Sequence, residues 1–583
     1  MMKTEFFLTK FDTGVHTFFS KKWHYAITFP GLLVLLYVIY FVFCFSTTPY
    51  DDNIAGYPPL GLRNDSCFYA LQWIGISIII IAFIYIIIET IFKMMYVEKF
   101  IRVIFFVSCV CLVCYGFTMS VQSFGQKYDT ISFTYAGHWA VIVETFKTGR
   151  IPSAQLENQY YQPKLYHTLM AAFMKINSLF VHLSDQSAAS IQPFGGVVYT
   201  WTVTEYALME MNRILMAYIG IYTLVFAKRV IHLILKGGVK YLVATTLLLL
   251  NPGMWYVAFY CNNDCIALFF TLVALWSSII YFKTDKWWSL LVCAVSIGFG
   301  MMSKTNAALI AFPIAVLFLL KFVGYFRTEN IVGLKYFLIQ IGVFAIVVFP
   351  LGLWCPIYYK IAYDIPIGYV LEIIPGGQTW INPNFYNPFQ RYIAYPAFDL
   401  FRNPYVNMWR VANNQGVFID EYGTIDYNIW TGYIKTLCFY GQFTPRWMIG
   451  MERGFAPLQL LLYLHIHLSY YLLIAIFLIS VIVPLFFLAR KIVMSVKAKR
   501  KFVFTTEIVL LLAIALIYSV GYVYFNWRYP FGVTQHSRYA LPLLIPVFCS
   551  FGYFCEYVVD KTKYKRMIIA KTEEIAARQK EEE

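Results

Sequence analysis

Residues 264–322 read DCIALFFTLVALWSSIIYFKTDKWWSLLVCAVSIGFGMMSKTNAALIAFPIAVLFLLKF. Within this stretch, three apolar runs at 264–282, 288–303 and 306–322 are separated by short breaks that carry Lys, Asp and Thr. A helix of about 20 apolar residues crosses a bilayer, and such short breaks turn the chain straight back. The stretch therefore predicts membrane helices joined by tight hairpins.

The same pattern extends over the whole chain of 583 residues, of which 60% are hydrophobic and only 13% charged. A soluble domain of this length could not bury so much apolar surface, because its interior is limited by its surface-to-volume ratio. We predict an all-α polytopic membrane protein of about twelve spans. The predicted spans are 24–46, 73–92, 103–121, 212–228, 241–258, 264–282, 288–303, 306–322, 335–354, 457–489, 505–525 and 539–559.

The net charge of +15 does not indicate nucleic-acid binding, because Lys and Arg lie in short segments between apolar runs. Lys283 and Lys286 form one such segment, and residues 490–501 form another. Loops rich in Lys and Arg face the cytoplasm, and both termini are also Lys-rich. The sequence therefore predicts a multi-pass plasma-membrane protein with cytoplasmic termini and a functional site on the extracytoplasmic face.

Two segments are too long to be simple connectors, and they divide the chain. They are rich in aromatic residues and Pro, which argues against disorder and favours a functional role. We predict an N-terminal part at 1–102 with two extra spans, and a core at 103–354 that contains the first long segment, 121–212. The second long segment, 355–458, is followed by C-terminal spans at 459–559 and a cytoplasmic tail at 560–583.

Polar residues at the outer ends of the apolar runs are the candidates for function, since an ionisable group at membrane depth costs free energy. Asp129 follows the third span, where it is either a base or a solvated loop acid. His138 and Gln162 lie in the same long segment. Asn263 and Asp264 either cap the next helix or bind a substrate.

Three cations complete the set of candidates. Lys304 lies in the hairpin between two apolar runs, where it either snorkels to the headgroups or binds a phosphate. Arg538 comes just before the last predicted span, beside His536, and Arg213 opens the fourth. Arg suits phosphate recognition because its guanidinium is planar and permanently charged.

The order of these segments resembles the GT-C superfamily of glycosyltransferases, in particular bacterial family 39-like enzymes related to protein O-mannosyltransferases and aminoarabinose transferases. The resemblance is carried by GHWAVIVETFKTGRIP at 137–152, YYQPKLYHTLMA at 160–171, NPGMWYVAFYCNNDCIALFFTLVALW at 251–276, GFGMMSKTNAALIAFP at 298–313, WTGYIKTLCFYGQF at 430–443 and TQHSRYALPLLIP at 534–546. In many family members an acidic residue lies a few positions before the position of His138. Here residues 134–137 are not acidic, and Asp129 is further upstream.

The resemblance implies transfer of a sugar from a polyprenyl-phosphate donor, as co-substrate, to a glycan, lipid or protein acceptor, with inversion at the anomeric carbon. It implies catalytic roles for Asp129, as the base, and for His138. Lys304, Arg538 and Arg213 would bind the donor phosphate. The substrate would also contact Asn263, Asp264, Gln162 and His536. This scheme requires no cofactor, and it leaves metal dependence open.

Two other functions are compatible with the residues. A transporter or lipid flippase would have a binding site at the bilayer midplane, broken helices and internal repeats. A polymerase or ligase would use a lipid-linked oligosaccharide and would need a wider cavity.

Overall fold

The computed structural model describes residues 23–44, 49–50, 61–62, 65–118, 138–154, 160–185, 187–191, 199–258, 262–369, 387–395, 397–402, 411–412, 418–419, 428–438, 464–482, 493 and 505–562. Asp129 lies outside these residues. The described part is almost entirely helical, so the predicted all-α class is confirmed. Three two-stranded antiparallel hairpins are the exception. They pair β1 (Pro49–Tyr50) with β2 (Gly61–Leu62), β3 (Ser187–Ile191) with β4 (Tyr199–Thr202), and β5 (Val411–Ala412) with β6 (Phe418–Ile419).

The helices follow one another along the chain with short connections in the core. They are α1 Trp23–Phe43, α2 Asp65–Ile91, α3 Val97–Thr118, α4 His138–Thr148, α5 Leu165–Asn177, α6 Val203–Leu235, α7 Gly238–Leu249, α8 Pro252–Tyr256, α9 Asp264–Thr284, α10 Trp287–Ser303, α11 Ala311–Arg327, α12 Ile331–Tyr363, α13 Pro388–Tyr392, α14 Ala397–Arg402, α15 Ile429–Cys438, α16 Leu464–Ile482, α17 Thr506–Arg528 and α18 Leu541–Thr562. A 3-10 turn, Thr305–Ile310, leads into α11, and two more, Gly532–Gln535 and Ser537–Tyr539, lead into α18.

Eight helices in the described residues are long and apolar enough to cross a membrane, by length and composition. They are α2, α6, α9, α11 with its 3-10 turn, α12, α16, α17 and α18. The other four predicted spans coincide with α1, α3, α7 and α10. Of these, α1, α7 and α10 are shorter apolar helices. The multi-pass architecture is thus confirmed, whereas the count of twelve stays a prediction.

Two helices are longer than their apolar runs. Helix α6 begins at Val203, nine residues before the predicted start of its span, because Thr202 and Glu205 form a capping box at its N-terminus. Helix α12 continues past residue 354 to Tyr363, with Pro350 and Pro356 inside it. Each helix therefore extends beyond its predicted span into the adjacent long segment.

Helices α9 and α10 lie at the centre of the bundle. Helix α9 packs against α6 and α10, and α10 packs against α12. Helix α12 carries exposed Ile346, Phe349 and Ile361, which suits a surface in contact with lipid. The start of α9 and the end of α10 meet at one end of the bundle, which we call the site end. Helix α5 contacts α10, and α15 contacts both 3-10 turns before α18.

Candidate functional site

The start of α9 is built by three consecutive polar residues. The backbone N–H of Asp264 donates to the Asn262 side-chain oxygen over 3.0 Å, which closes a local turn. The Asn263 amide donates to the Ser303 carbonyl over 2.7 Å, which ties the start of α9 to the end of α10. Asp264 lies in the first turn of α9, where the helix dipole favours a negative charge. The turn at the start of α9 therefore fixes the position of a buried carboxylate.

Lys304 directly follows the last residue of α10 and is the first cation at the site end. Its backbone is extended, with φ −157° and ψ 128°, and its N–H donates to the Gly300 carbonyl over 2.8 Å. The ammonium group donates to Asp264 Oδ1 over 2.5 Å, and the two side chains are 12% and 4% exposed. Lys304 thus forms a buried ion pair, which excludes the alternative that it snorkels to the headgroups.

Arg538 is the second cation, contributed by a 3-10 turn far along the chain. Its guanidinium lies 3.7 Å from Asp264 Oδ2. The Tyr539 ring lies 4.8 Å from the Lys304 ammonium and 5.2 Å from the Arg538 guanidinium carbon, so both cations face the same aromatic ring. Asp264, Lys304 and Arg538 form what we call the cation cluster, in which two positive charges share one carboxylate.

The backbone that carries Arg538 is held by side chains from neighbouring elements. The Ser537 N–H donates to Thr436 Oγ of α15 over 2.8 Å, and the Arg538 N–H donates to His536 Nδ1 over 3.1 Å. The Tyr522 hydroxyl donates to the Gln535 carbonyl. This turn is therefore rigidly placed before any ligand binds.

The first long segment reaches the cation cluster through Gln162. The Gln162 side-chain oxygen accepts a hydrogen bond from the Asn263 amide over 3.3 Å. The Gln162 backbone carbonyl accepts one from the Tyr359 hydroxyl, also over 3.3 Å. His138 Nδ1 and His167 Nε2 lie 2.9 Å apart, and both rings are buried. Lys164, also buried, donates to the Tyr160 carbonyl over 2.5 Å.

Burial lowers the pKa of titratable groups in the first long segment and in the turn before α18. Desolvation, and then Lys304, Arg538 and Lys164, hold the pKa of His138 well below its ordinary value. Desolvation, and then the charges of Arg538 and Lys304, also hold the pKa of His536 well below its ordinary value. Burial lowers the pKa of Lys164 to about 7. His138 and His536 are therefore neutral imidazoles within the electrostatic reach of the cation cluster.

Several buried polar atoms at the site end make no hydrogen bond within the described part of the chain. They are Asn262 Nδ2, Asn263 Oδ1, Asp264 Oδ2 and Gln535 Nε2. Buried polar groups in folded proteins are almost always hydrogen-bonded, so a concentration of unsatisfied atoms marks a place where a polar ligand can bind. Together with the two cations, these atoms suit an anionic, hydroxyl-rich ligand.

The structure brings most of the predicted site residues together. Asn263, Asp264, Gln162, Lys304 and Arg538 form one connected group. His138 and His536 lie within its electrostatic reach.

Arg213 lies elsewhere on α6. Its guanidinium lies 3.1 Å from Glu210 and donates to the Gly116 carbonyl of α3 over 3.5 Å.

Lys164, His167 and Tyr539 were missed as site residues, although all three lie in the stretches that carry the family resemblance. Lys164 is the most visible of them, since it stands between Pro163 and an apolar helix. The burial that changes its chemistry could not be read from the sequence.

The buried histidines predict a stability that depends on pH. A protonated imidazole is disfavoured in the folded protein, and burial followed by the charges of His138 and Lys164 also lowers the pKa of His167. Their contribution is complete above about pH 6.5 and is lost as the pH falls, because the unfolded chain then binds more protons. We expect the free energy of unfolding of the purified protein to fall between pH 6.5 and pH 5, by up to about 1.4 kcal/mol per pH unit for each histidine, and the thermal midpoint to fall with it.

Thermal unfolding of variants over this pH range separates the buried histidines from the others. The His138→Gln variant should lose less stability between pH 6.5 and pH 5 than the wild type does. His182→Gln should leave that loss unchanged, because the His182 side chain is 70% exposed. Equal slopes for His138→Gln and wild type would contradict the assignment.

Gly432 in α15 is required by the close approach of Gln535. A Cβ at this position would lie 2.5 Å from the Cβ of Gln535. Gly432→Ala should therefore displace the turn that carries Arg538 and destabilise the protein by about 1–3 kcal/mol. Gly342→Ala in α12 is the matched control, because a Cβ there meets nothing within 4 Å. Chemical unfolding measures both, and equal stabilities of the two variants would contradict the prediction.

Comparison with known proteins supports the family resemblance. The family model described as dolichyl-phosphate-mannose-protein mannosyltransferase matches residues 201–354, which include Asn263, Asp264 and Lys304. This match confirms, for that segment, the resemblance predicted from the sequence. No curated protein matches the chain. Among solved structures, the chain is similar to ArnT from Cupriavidus metallidurans in the apo state, at 13% identity and a TM-score of 0.29, over 73% of this chain and 74% of that chain.

Proposed function

We propose that this chain is an integral-membrane glycosyltransferase that moves a sugar from a polyprenyl-phosphate donor to an acceptor on the outer face of the membrane. The observation that carries the proposal is the cation cluster. Two cations and one carboxylate, whose side chains are at most 12% exposed, lie where the membrane-length helix α9 meets the shorter apolar helix α10. Asp264 and Lys304 belong to the segment that matches the mannosyltransferase family model, and Arg538 does not.

The cation cluster supplies what the leaving group needs. As the bond between the anomeric carbon and the phosphate oxygen breaks, negative charge grows on the polyprenyl phosphate. Lys304 and Arg538 stabilise that charge from fixed positions, in a site where the low dielectric strengthens the interaction. Asp264 holds both cations in place before the donor arrives, so little reorganisation is needed during the reaction.

The acceptor side of the reaction needs a base. An acceptor hydroxyl attacks the anomeric carbon on the face opposite the phosphate, so the configuration is inverted. Its proton passes to a carboxylate, for which we propose Asp129, and the products are the glycosylated acceptor and free polyprenyl phosphate. Neutral His138 lies within the reach of the cation cluster and is suited to accept or donate a hydrogen bond to the substrates.

The orientation proposed for this enzyme rests on its basic loops. Lys283 and Lys286 lie at the end of α9 opposite to the cation cluster. If that end faces the cytoplasm, the cation cluster opens to the outer leaflet. The acceptor is then a glycan, lipid or protein outside the cytoplasm.

A direct transfer assay tests the proposal. Purified protein in lipid nanodiscs is incubated with a panel of polyprenyl-phosphate sugars and with envelope lipids and polymers, and the products are analysed by mass spectrometry. We expect one donor to release polyprenyl phosphate while an acceptor gains the mass of the sugar. Movement of a donor between leaflets of proteoliposomes, without any transfer, would instead identify a flippase.

The Asp129→Asn variant tests the base in the same assay. Loss of the carboxylate should lower the transfer rate by about 100-fold or more, the usual contribution of a general base. Transfer at the native rate would assign the proton to another group.

A further inference from the structure

Arg391 lies in α13, within the second long segment, and is only 2% exposed. One terminal nitrogen donates to the Asn526 carbonyl over 3.4 Å, and the guanidinium carbon lies 5.0 Å from the Tyr392 ring. Its Nε makes no hydrogen bond within the described residues. A guanidinium has five N–H donors, and within the described residues Arg391 uses one of them, in the bond to Asn526.

Among the described residues, Arg391 shares with buried Lys164 the lack of an ion pair with a carboxylate, whereas three other lysines of low exposure have one. Lys99, Lys304 and Lys321 are each paired with an acidic side chain, at 2.7, 2.5 and 2.6 Å. Among the described residues, by contrast, no Asp or Glu forms an ion pair with Arg391. A buried cation without a counter-charge is costly, and it persists in proteins mainly where it has a use.

The backbone around Arg391 is fixed by α15. The Asn428 amide donates to the carbonyls of Gln390 and Ala394, over 2.6 and 2.7 Å. The Trp430 indole donates to the Tyr392 carbonyl over 2.8 Å. Three hydrogen bonds to carbonyls on both sides of Arg391 hold α13 in place, so the guanidinium is preorganised.

The same helix connects Arg391 to the cation cluster. Near its other end, Thr436 accepts from the Ser537 N–H, next to Arg538. At 1.5 Å per residue, Trp430 and Thr436 are separated by about 9 Å along α15. Arg391 and the cation cluster therefore both lie at the site end, at different positions along α15.

We propose that Arg391 binds an oxyanion group, phosphate or carboxylate, of the acceptor substrate. The planar fork of a guanidinium matches both groups with two parallel hydrogen bonds. The donor phosphate is assigned to Lys304 and Arg538, and the acceptor must approach the opposite face of the sugar. A second anion site beside the first therefore suits the acceptor, and this inference rests on the proposed function.

Thermal unfolding of the purified full-length protein in detergent tests the site without a transfer assay. Inorganic phosphate and acetate are titrated separately at constant ionic strength. We expect a saturable rise in the midpoint of the wild type, and at least about a tenfold weaker apparent affinity for Arg391→Met. The part of this response that Arg391→Met loses should remain in Lys304→Met. Arg528→Met is the matched control, since Arg528 is an exposed cation at the end of α17, two residues from Asn526.

The ligand-free proteins provide a second readout. Removing a buried cation that has no counter-charge among the described residues should leave the midpoint of Arg391→Met unchanged or raise it. A lower midpoint that Arg391→Lys restores, with an unchanged response to both anions, would show that Arg391 is purely structural and overturn the proposal.

A third titration, with undecaprenyl phosphate in micelles, separates acceptor from donor. The midpoint shift should be lost in Lys304→Met and kept in Arg391→Met. Loss in Arg391→Met would place the donor phosphate at Arg391 and overturn the acceptor role, while the glycosyltransferase function would stand. If no polyprenyl-phosphate sugar is transferred but the first titration succeeds, the anion site stands and the proposed function fails.

Discussion

Replacing Lys304 by Met is expected to lower the rate of sugar transfer by about 100-fold to 1,000-fold, the usual effect of removing one fixed group that stabilises a developing anion. Lys304 is 12% exposed and its ammonium lies against the same Tyr539 ring as the Arg538 guanidinium. The variant retains volume and removes charge, so the leaving phosphate keeps only one of its two cations. Initial rates with a saturating polyprenyl-phosphate sugar measure the effect.

The chain contains a matched control for this substitution. Lys321 is also buried and paired with an aspartate, Asp285, at 2.6 Å, but it lies at the opposite end of the bundle. Lys321→Met should reduce stability and leave the rate of the folded fraction unchanged. If both lysine variants slow transfer equally, the effect is one of folding and Lys304 does not act on the donor.

Asp264→Asn is expected to destabilise the protein by about 3–5 kcal/mol, the cost of breaking a buried ion pair by removing one partner. The carboxylate is 4% exposed and is the shared partner of Lys304 and Arg538. Its loss leaves two neighbouring cations without a counter-charge. Unfolding in denaturant, measured on detergent-solubilised protein, gives the change in free energy.

The double variant Asp264→Leu, Lys304→Met separates stability from function. Replacing Asp264 and Lys304 with apolar side chains leaves Arg538 as the one cation of the cluster without its partner, where Asp264→Asn leaves two, so part of the stability should return. Transfer should remain as slow as in Lys304→Met alone. A double variant as unstable as Asp264→Asn would show that the ion pair is not the source of the loss.

The architecture was largely predictable because membrane insertion is a local property. A run such as 264–282 must form a helix in lipid whatever its neighbours do, since every backbone N–H and C=O must be bonded within the segment. Helix α9 accordingly spans Asp264–Thr284. Helix ends were less predictable, because they are set by caps and by neighbouring elements. Thr202 and Glu205 start α6 early, and α12 runs on to Tyr363.

The candidate site was predictable as a set of residue types and as an order along the chain. Asn263, Asp264 and Lys304 stand at the ends of apolar runs, where charge is costly and therefore informative. Their pairing was not predictable. Lys304 and Asp264 are 40 residues apart, and Arg538 is much further along the chain, so only the packing of α9, α10 and α18 brings them together.

The sequence by itself determined that this chain lies in a membrane, which segments are helical, and which polar residues stand at helix ends. Hydrophobicity acts on each segment separately, so these features need no knowledge of the fold. Tertiary structure alone decided that Lys304 and Arg538 share Asp264, that His138 is a neutral imidazole near them, and that Arg391 is buried with no described carboxylate paired to it. Charge pairing and desolvation depend on distances between segments remote in sequence, and these distances exist only in the folded protein.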